Sequence, residues 1–379
     1  MARIAKTGSR WLHPCMTKLS YPYDLVVLLA RLQPLHEGIR LALKFALRQG
    51  SKVLVLIGAS DAAPDCYNPF PYAVREWQLA RLAESLEGAH RLHHGPQPDL
   101  LYPPTRWAQD VSERVHHWLP SMGLPGGASI ALIQFPDSQW AAHEFPHWDV
   151  LPVLGYAGMR AKPILQALYE HGAAFEAKLP SGTLPRFMAA DMARWASPTG
   201  LPDVPSFLDL QAEYLSTVRY QAAWACAPFP HIGVSCDAAV LWQDWLASIT
   251  RKNWPGRGQL ALPGGFLEPA ELLINGCLRE LQEETGLRLL LPGMKGPGQA
   301  AALRAQEAFD AVHRSTRGRI VTHGFLFEVQ SAQRPELTAG DDALSAEWMP
   351  VEAFLAAQGQ VFHDHRHVVN RLLELARRC

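Results

Sequence analysis

A chain of 379 residues exceeds one average domain and asks for two or three, at roughly 100–200 residues each. Hydrophobic residues at 48 % and charged residues at 19 % exclude a chain that is disordered or coiled-coil throughout. With 35 Lys and Arg against 36 Asp and Glu, the net charge of -1 lacks the basic footprint of a dedicated nucleic-acid binder, so charge-driven chemistry has to be local.

Residues 1–21 carry Arg3, Lys6, Arg10 and Lys18 with no acid and no apolar face, so they read as a flexible extension, with Met16 as an alternative start. Residues 24–29 and 52–58 are strand-like apolar runs, and an amphipathic pattern over 39–49 lies between them. This strand, helix, strand order is a βαβ unit, which builds parallel sheets. A helical pattern over 107–118 precedes another buried-strand run at 128–134. Between 179 and 205, Pro180, Pro185, Pro198, Pro202 and Pro205 mark a composition shift where a domain boundary is expected. A helical pattern over 207–225 follows, then strand-like 233–241, a Gly-rich loop at 253–258, a long helix ending at Gly286, and strands at 320–329.

The apolar runs fall well short of the ~18 residues that a membrane span needs. Six cysteines at 15, 66, 226, 236, 277 and 379 show no CxxC pair, so free thiols in a reducing cytoplasm are expected. Among the histidines, only the outer two of His363, His365 and His367 share a helix face. They are read as solvated side chains and not as a metal site, as are His93, His94, His116 and His117. Trp254, beside the Gly-rich loop, suits packing or stacking on a base.

The chemistry concentrates at 262–287. Pro269 suits a first helical turn and Gly286 the position past the end, which predicts one helix over 271–285. Glu280, Glu283 and Glu284 then stand at i, i+3 and i+4 on one face, where like charges repel. A divalent cation removes that repulsion. An all-oxygen donor set suits Mg²⁺ or Mn²⁺, which commonly completes its shell with phosphate. Arg251, Lys252 and Arg257 precede this stretch, and Arg314, Arg317 and Arg319 follow it. Guanidinium forks match phosphate oxygens. An acidic cup with a basic rim predicts a small-molecule diphosphate substrate. A merely solvated acidic helix would explain neither Gly264 and Gly265 nor Arg279 at its spacing.

These residues resemble the Nudix box, G-x5-E-x7-R-E-U-x-E-E-x-G-U, at every specified position: Gly265, Glu271, Arg279, Glu280, Leu281, Glu283, Glu284, Gly286 and Leu287. The resemblance implies that Glu280, Glu283 and Glu284 bind metal. It also implies that Arg279 and Glu271 hold loop and helix in register, and that water attacks a phosphorus of a nucleoside diphosphate derivative. Gly264, Gly265, Arg251, Arg317 and Arg319 are the expected substrate contacts. Gly276 within the helix costs about 1 kcal/mol relative to Ala at an unrestricted box position.

From about residue 22 to 370 the chain also resembles bacterial bifunctional proteins joining a nicotinamide mononucleotide adenylyltransferase domain to a Nudix ADP-ribose pyrophosphatase domain, a pairing that belongs to NAD metabolism. The second half carries this through 227–230, 314–319, Thr322 with His323, 340–343 and 362–365, which favour ADP-ribose as substrate. In the first half, 31–38 resembles the phosphate loop, and 68–70 with Arg75 and Glu76 the segment after the second strand. The family loop ends His-x-Gly-His. Here Arg31, His36 and Gly38 are present, but Ile39 stands at the last position and offers no donor. The later hydroxyl-rich turn is missing near 160–165, with Leu165 at its arginine position, and 134–138 lacks the Gly-His-x-Lys-Asp pattern.

The expected fold is therefore an α/β nucleotidyltransferase-like domain with a Rossmann-like parallel sheet over 22–182, its adenylyltransferase site vestigial. A linker with a helix follows at 183–226, then an α+β Nudix-fold domain at 227–379. The expected activity is Mg²⁺- or Mn²⁺-dependent cleavage of ADP-ribose or a related compound to AMP and a sugar phosphate, in the cytoplasm. No nucleic-acid or membrane partner is expected, and homo-oligomerisation stays open. The alternatives are an intact bifunctional enzyme and a nucleotide-sensing regulatory protein.

Overall fold

A computed structural model of the chain describes residues 21–136, 138, 142–153 and 159–378. The predicted extension over 1–21 lies outside these residues but for Tyr21. The first unit is built on β1 (Tyr23–Ala30), α1 (Glu37–Gln49), β2 (Gly50–Ile57), α2 (Tyr72–Ala83), β3 (Leu92–Pro96), α3 (Trp107–Trp118), β4 (Ile130–Gln134), β5 (Asp149–Pro152), α4 (Ala161–His171), α5 (Arg186–Trp195) and α6 (Phe207–Ala223). Its five strands are all parallel, in the order β3-β2-β1-β4-β5.

Side chains alternate across a strand, and the two faces of this sheet are covered by different helices. Val26, Leu28, Val53, Val55 and Ile133 meet Leu43, Leu79, Leu168 and Met188 on one side. Leu25, Val27, Leu54, Leu56 and Leu132 meet Val111 and Val115 of α3 on the other. Both faces buried is why these strands read as continuous apolar runs. The strand order reverses at β1, and in such sheets ligands bind outside the carboxyl ends of the strands at this point. The 31–38 loop lies there.

The second unit comprises β6 (Gly233–Trp242), β7 (Trp245–Arg251), β8 (Leu260–Ala261), β9 (Gly264–Phe266), α7 (Leu273–Thr285), β10 (Leu289–Leu290), β11 (Gln299–Phe309), β12 (Ile320–Val329), β13 (Ala343–Pro350), α8 (Val351–Ala356) and α9 (His365–Ala376). Its mixed sheet runs β10-β11-β12-β6-β7-β13, with β8 on β7 and β9 on β6. Cys277 and Leu281 of α7 pack with Cys236, Ala238 and Phe325 on one face. Phe354, Val368 and Leu372 pack with Ala239, Phe309 and Leu326 on the other.

Two sequence expectations change. The predicted helix over 271–285 begins only at Leu273, because Leu272 is extended (ψ 146°). The Glu271 carboxylate turns back to accept from the Glu268 amide at 3.3 Å, so Glu271 stands before the helix. The Pro-rich stretch also carries α5, and Met188, Met192 and Trp195 are buried in the first core together with Phe207, Leu210 and Tyr214 of α6. The stretch over 183–226 thus contributes α5 and the first turns of α6 to the first core. Among the described residues no helix is long and apolar enough to cross a membrane, and Cys66, Cys226, Cys236 and Cys277 are free.

Candidate active site

The site is assembled where the turn of β9 meets α7. Glu284 is buried, and its carboxylate accepts from the Gly264 amide at 2.8 Å. Burial, reinforced by the neighbouring Glu280, raises its pKa to about 8 against the pull of Gly264 and Arg251. Glu280 is likewise raised by burial, opposed by Arg279. Glu283 lies nearer the surface at 44 % side-chain exposure. A side chain at Gly265 would put its Cβ 2.4 Å from Glu280 Oε1, and one at Gly264 would meet Asp237 Oδ1 at 2.4 Å. The two glycines make room for carboxylates.

Arg279 gathers this face. Its Nε and Nη2 donate to the two Glu271 oxygens at 3.0 and 3.1 Å, Nη2 also to the Phe266 carbonyl at 3.2 Å, and Nη1 to Glu280 and Glu283 at 2.9 and 2.8 Å. The Glu271 hydrogen bonds hold the guanidinium charged beyond its ordinary range and in turn lower the Glu271 carboxyl. Gly276 has a structural reason here: a Cβ would meet Glu271 Oε2 at 2.8 Å and Cys236 Sγ at 3.2 Å. Its absence lets α7 close on both. Among the described residues no three His, Cys, Asp or Glu side chains converge as a ready metal cage. Glu280 Oε2 and Glu283 Oε1 remain outside the Arg279 fork.

The basic side consists of Arg251 and Arg317. Arg251 lies with its guanidinium 4.1 Å over the Phe362 ring and donates from Nε to the Pro255 carbonyl at 2.9 Å. Burial lowers its pKa, opposed by Glu284 and Asp237. Arg317 stands over Phe266 at 4.8 Å, and its buried Nε has no hydrogen-bond partner among the described residues. Burial, and then the Arg251 charge, lower it to about 10. Arg319 turns instead to the carbonyl and carboxylate of Asp310.

Beneath them lies a buried network that spacing alone does not reveal. Arg314 forks onto Asp364 with two bonds of 2.8 Å. Burial would raise the Asp364 carboxyl, yet Arg314 outweighs it and holds the pKa at about 2. Thr322 donates to Asp237 at 2.6 Å, and His365 Nδ1 accepts from the Leu262 amide at 2.9 Å, which assigns its proton to Nε2, 3.9 Å from Asp237. His363 stacks on Phe362, His365 is buried and His367 Nε2 lies 4.0 Å from Asp61, so these side chains are packed into the fold and not solvated as the sequence suggested. The 314–319 and 362–365 segments are visible in sequence, whereas Asp237 is an unmarked polar position in a buried strand.

A model of the NUDIX domain matches residues 236–372. The second unit is a Nudix domain. An ADP-ribose pyrophosphatase of Methanocaldococcus jannaschii is 33 % identical over 118 residues, 31 % of this chain and 62 % of that protein's length. A nicotinamide/nicotinic acid mononucleotide adenylyltransferase of Acinetobacter baylyi is 29 % identical over 170 residues, 43 % of this chain and 85 % of its own. A bifunctional NMN adenylyltransferase/ADP ribose pyrophosphatase from Francisella tularensis superposes with a TM-score of 0.80 at 26 % identity, covering 93 % of this chain and 99 % of the other. A second structure of that protein, complexed with AMP and a manganese ion, gives 0.79 at 25 % identity over the same shares. Over 93 % of its length the chain thus shares the fold of that bifunctional protein.

In the first unit, Arg31 is half exposed and donates to Asp99 at 3.0 Å. His36 precedes α1 and is buried, Gly38 is buried in the first turn, and Ile39 packs into the core. Leu165 is fully buried in α4. Arg75 is spent on the carbonyls of Arg31, Gly58 and Ala59 at 2.6–2.9 Å.

Proposed function

We propose that the Nudix domain hydrolyses the diphosphate of ADP-ribose or a closely related nucleoside diphosphate derivative to AMP and a sugar phosphate, with Mg²⁺ or Mn²⁺. The observation that carries this is the pair of desolvated guanidiniums, Arg251 and Arg317, set beside a carboxylate helix across Gly264 and Gly265. Two like charges kept partly from water, one with a buried nitrogen that has no partner among the described residues, favour an anion with several oxygens. The support for ADP-ribose comes from the named relatives.

The donor set fits a hard divalent cation, being all carboxylate oxygen with Gly265 leaving space for Glu280. Glu280, Glu283 and Glu284 would hold it. When bound, such a cation neutralises diphosphate charge and acidifies water. The protein's own part is to orient the diphosphate with Arg251 and Arg317 and to keep loop and helix in register through Glu271 and Arg279. Arg319, committed to Asp310, takes no part in this reading. Turnover of ADP-ribose with Mg²⁺ or Mn²⁺ tests it. Glu283→Gln and Glu284→Gln should each lower kcat at least a hundredfold, and a wild-type protein that cleaves no nucleoside diphosphate derivative overturns it.

In the same reading residues 22–182 keep the nucleotidyltransferase fold without its reaction. Support comes from Ile39 and Leu165, apolar side chains without a donor for a triphosphate that are buried in the core. The intact bifunctional enzyme is the rival, supported by the Acinetobacter relative. Incubation with ATP, Mg²⁺ and nicotinamide mononucleotide separates the two, because NAD formation at an enzymatic rate is compatible only with the rival.

A further inference from the structure

The loop between β11 and β12 carries Arg314, Arg317 and Arg319, and it is held by side chains from outside the matched Nudix residues. Tyr102 of the first unit, between β3 and α3, reaches it with one hydroxyl that serves two partners. That hydroxyl donates to Asp364 Oδ2 at 2.8 Å and accepts from the Ala311 amide at 3.3 Å. The same Asp364 oxygen accepts from Arg314 Nε at 2.8 Å, and the Arg314 amide donates to the Ala311 carbonyl at 3.1 Å. Tyr102 thus holds both the partner of Arg314 and the turn on which Arg314 stands. Its ring sits edge-on to Phe309, the last residue of β11, at 4.9 Å. Burial, with Asp364 beside it, keeps the phenol protonated beyond its ordinary range, so the donor persists at any working pH. Further along the loop, Gln221 of α6 donates to the Thr316 carbonyl at 3.3 Å. The Arg317 guanidinium lies against the parallel rings of Tyr220 and Phe266, 5.7 and 4.8 Å from their centroids.

We infer that Tyr102 is a positioning residue for the hydrolase, fixing through its hydroxyl the loop that presents Arg317 to the substrate. The first unit thereby completes the Nudix site without touching what is bound there. A loop bearing three guanidiniums repels itself, and its conformation has to be imposed by partners. Without the hydroxyl, the Ala311 amide loses its acceptor and Asp364, 1 % exposed, loses a donor. Losses of this kind are costly where water cannot replace the partner. Arg317 stands three positions beyond Arg314 in the same loop, so a shift of the turn carries to its guanidinium, and about 1 Å of displacement in an orienting group is enough to weaken its hold. This inference rests on the proposed function for the role of Arg317, but one arm of its test does not need turnover.

Tyr102→Phe keeps the ring against Phe309 and removes only the hydroxyl. In hydrogen exchange of the full-length protein followed by mass spectrometry, peptides over 310–319 should exchange about five- to fiftyfold faster than in the wild type, while those of α7 stay unchanged. With ADP-ribose and Mg²⁺, KM should rise about three- to thirtyfold with kcat held within about twofold. A merely structural role would lower the active fraction, and with it kcat, at constant KM. Tyr23→Phe removes a bond of the same kind elsewhere in the first unit, hydroxyl to Asp149 at 3.0 Å, and should leave exchange and kinetics as in the wild type. Unchanged exchange over 310–319 in Tyr102→Phe, or a fall in kcat at constant KM, overturns the inference. A wild type that hydrolyses nothing, with exchange still raised in Tyr102→Phe, overturns the hydrolase reading alone.

Discussion

Arg279 shows how much one residue can organise. It joins Glu271, Glu280, Glu283 and the Phe266 carbonyl, and only a planar guanidinium serves Glu271 through two nitrogens. Arg279→Lys should therefore lower kcat about ten- to a hundredfold while the folded protein persists, checked by steady-state kinetics beside a melting curve. Arg314 is the contrasting case, because its fork to Asp364 is buried. Removing one partner strands a buried charge, so Asp364→Ala should cost about 3–5 kcal/mol of stability, read from urea unfolding. At this scale the shared face of Arg279, Glu280, Glu283 and Glu284 was legible, since spacing along one helix sets it. The raised pKa of Glu284 was not, because the burial that causes it comes from strands and loops distant in sequence.

Helix α6 belongs to both halves, and Glu213 lies on it among segments of each. The carboxylate is 1 % exposed, and neither oxygen makes a full hydrogen bond among the described residues, although the amides of Cys66 and Gly256 approach it. Burial, then the nearby Asp65, raise its pKa from 4.5 to about 8. An unfolded chain releases this proton near pH 4.5, whereas the folded one retains it to about pH 8. The stability it contributes is thus complete below about pH 4.5 and lost as pH rises through 8. Glu213→Gln should flatten the decline in Tm between pH 5 and pH 8.5 by a few degrees, and an unaltered slope would count against Glu213 as its source. Element existence was legible here, for periodicity marks α1, α3 and α6 well. The start of α7 was misplaced because Glu271 prefers Arg279 to a helical turn, and α5 was hidden by the prolines around it.

At the scale of the molecule the two units are fastened at several points. Asp61, buried after β2, pairs with Arg366 and offers its carbonyl to the Gly359 amide at 3.0 Å. Tyr102 donates to Asp364 at 2.8 Å and sets its ring edge-on to Phe309 at 4.9 Å. Gln259 donates to the Pro64 carbonyl at 2.8 Å. Such coupling predicts a single calorimetric unfolding transition that separates into two in the double variant Asp61→Ala, Tyr102→Ala. One undivided transition in the variant would contradict the coupling. Strands β1, β2, β4, β6 and β12 could be read from apolar patterning, but this junction could not: its pairs lie as far as 305 positions apart, and no motif marks them.

The segment between α6 and β6 exposes Trp224, Phe229 and Ile232 to solvent, which makes it a natural target for a protease. A cut there severs the backbone between the halves, while Tyr102 stays seated against Phe309 and Asp61 against Arg366. A nicked molecule should therefore elute from gel filtration as one particle and show two bands only after denaturation, with Tyr220 still facing Phe266.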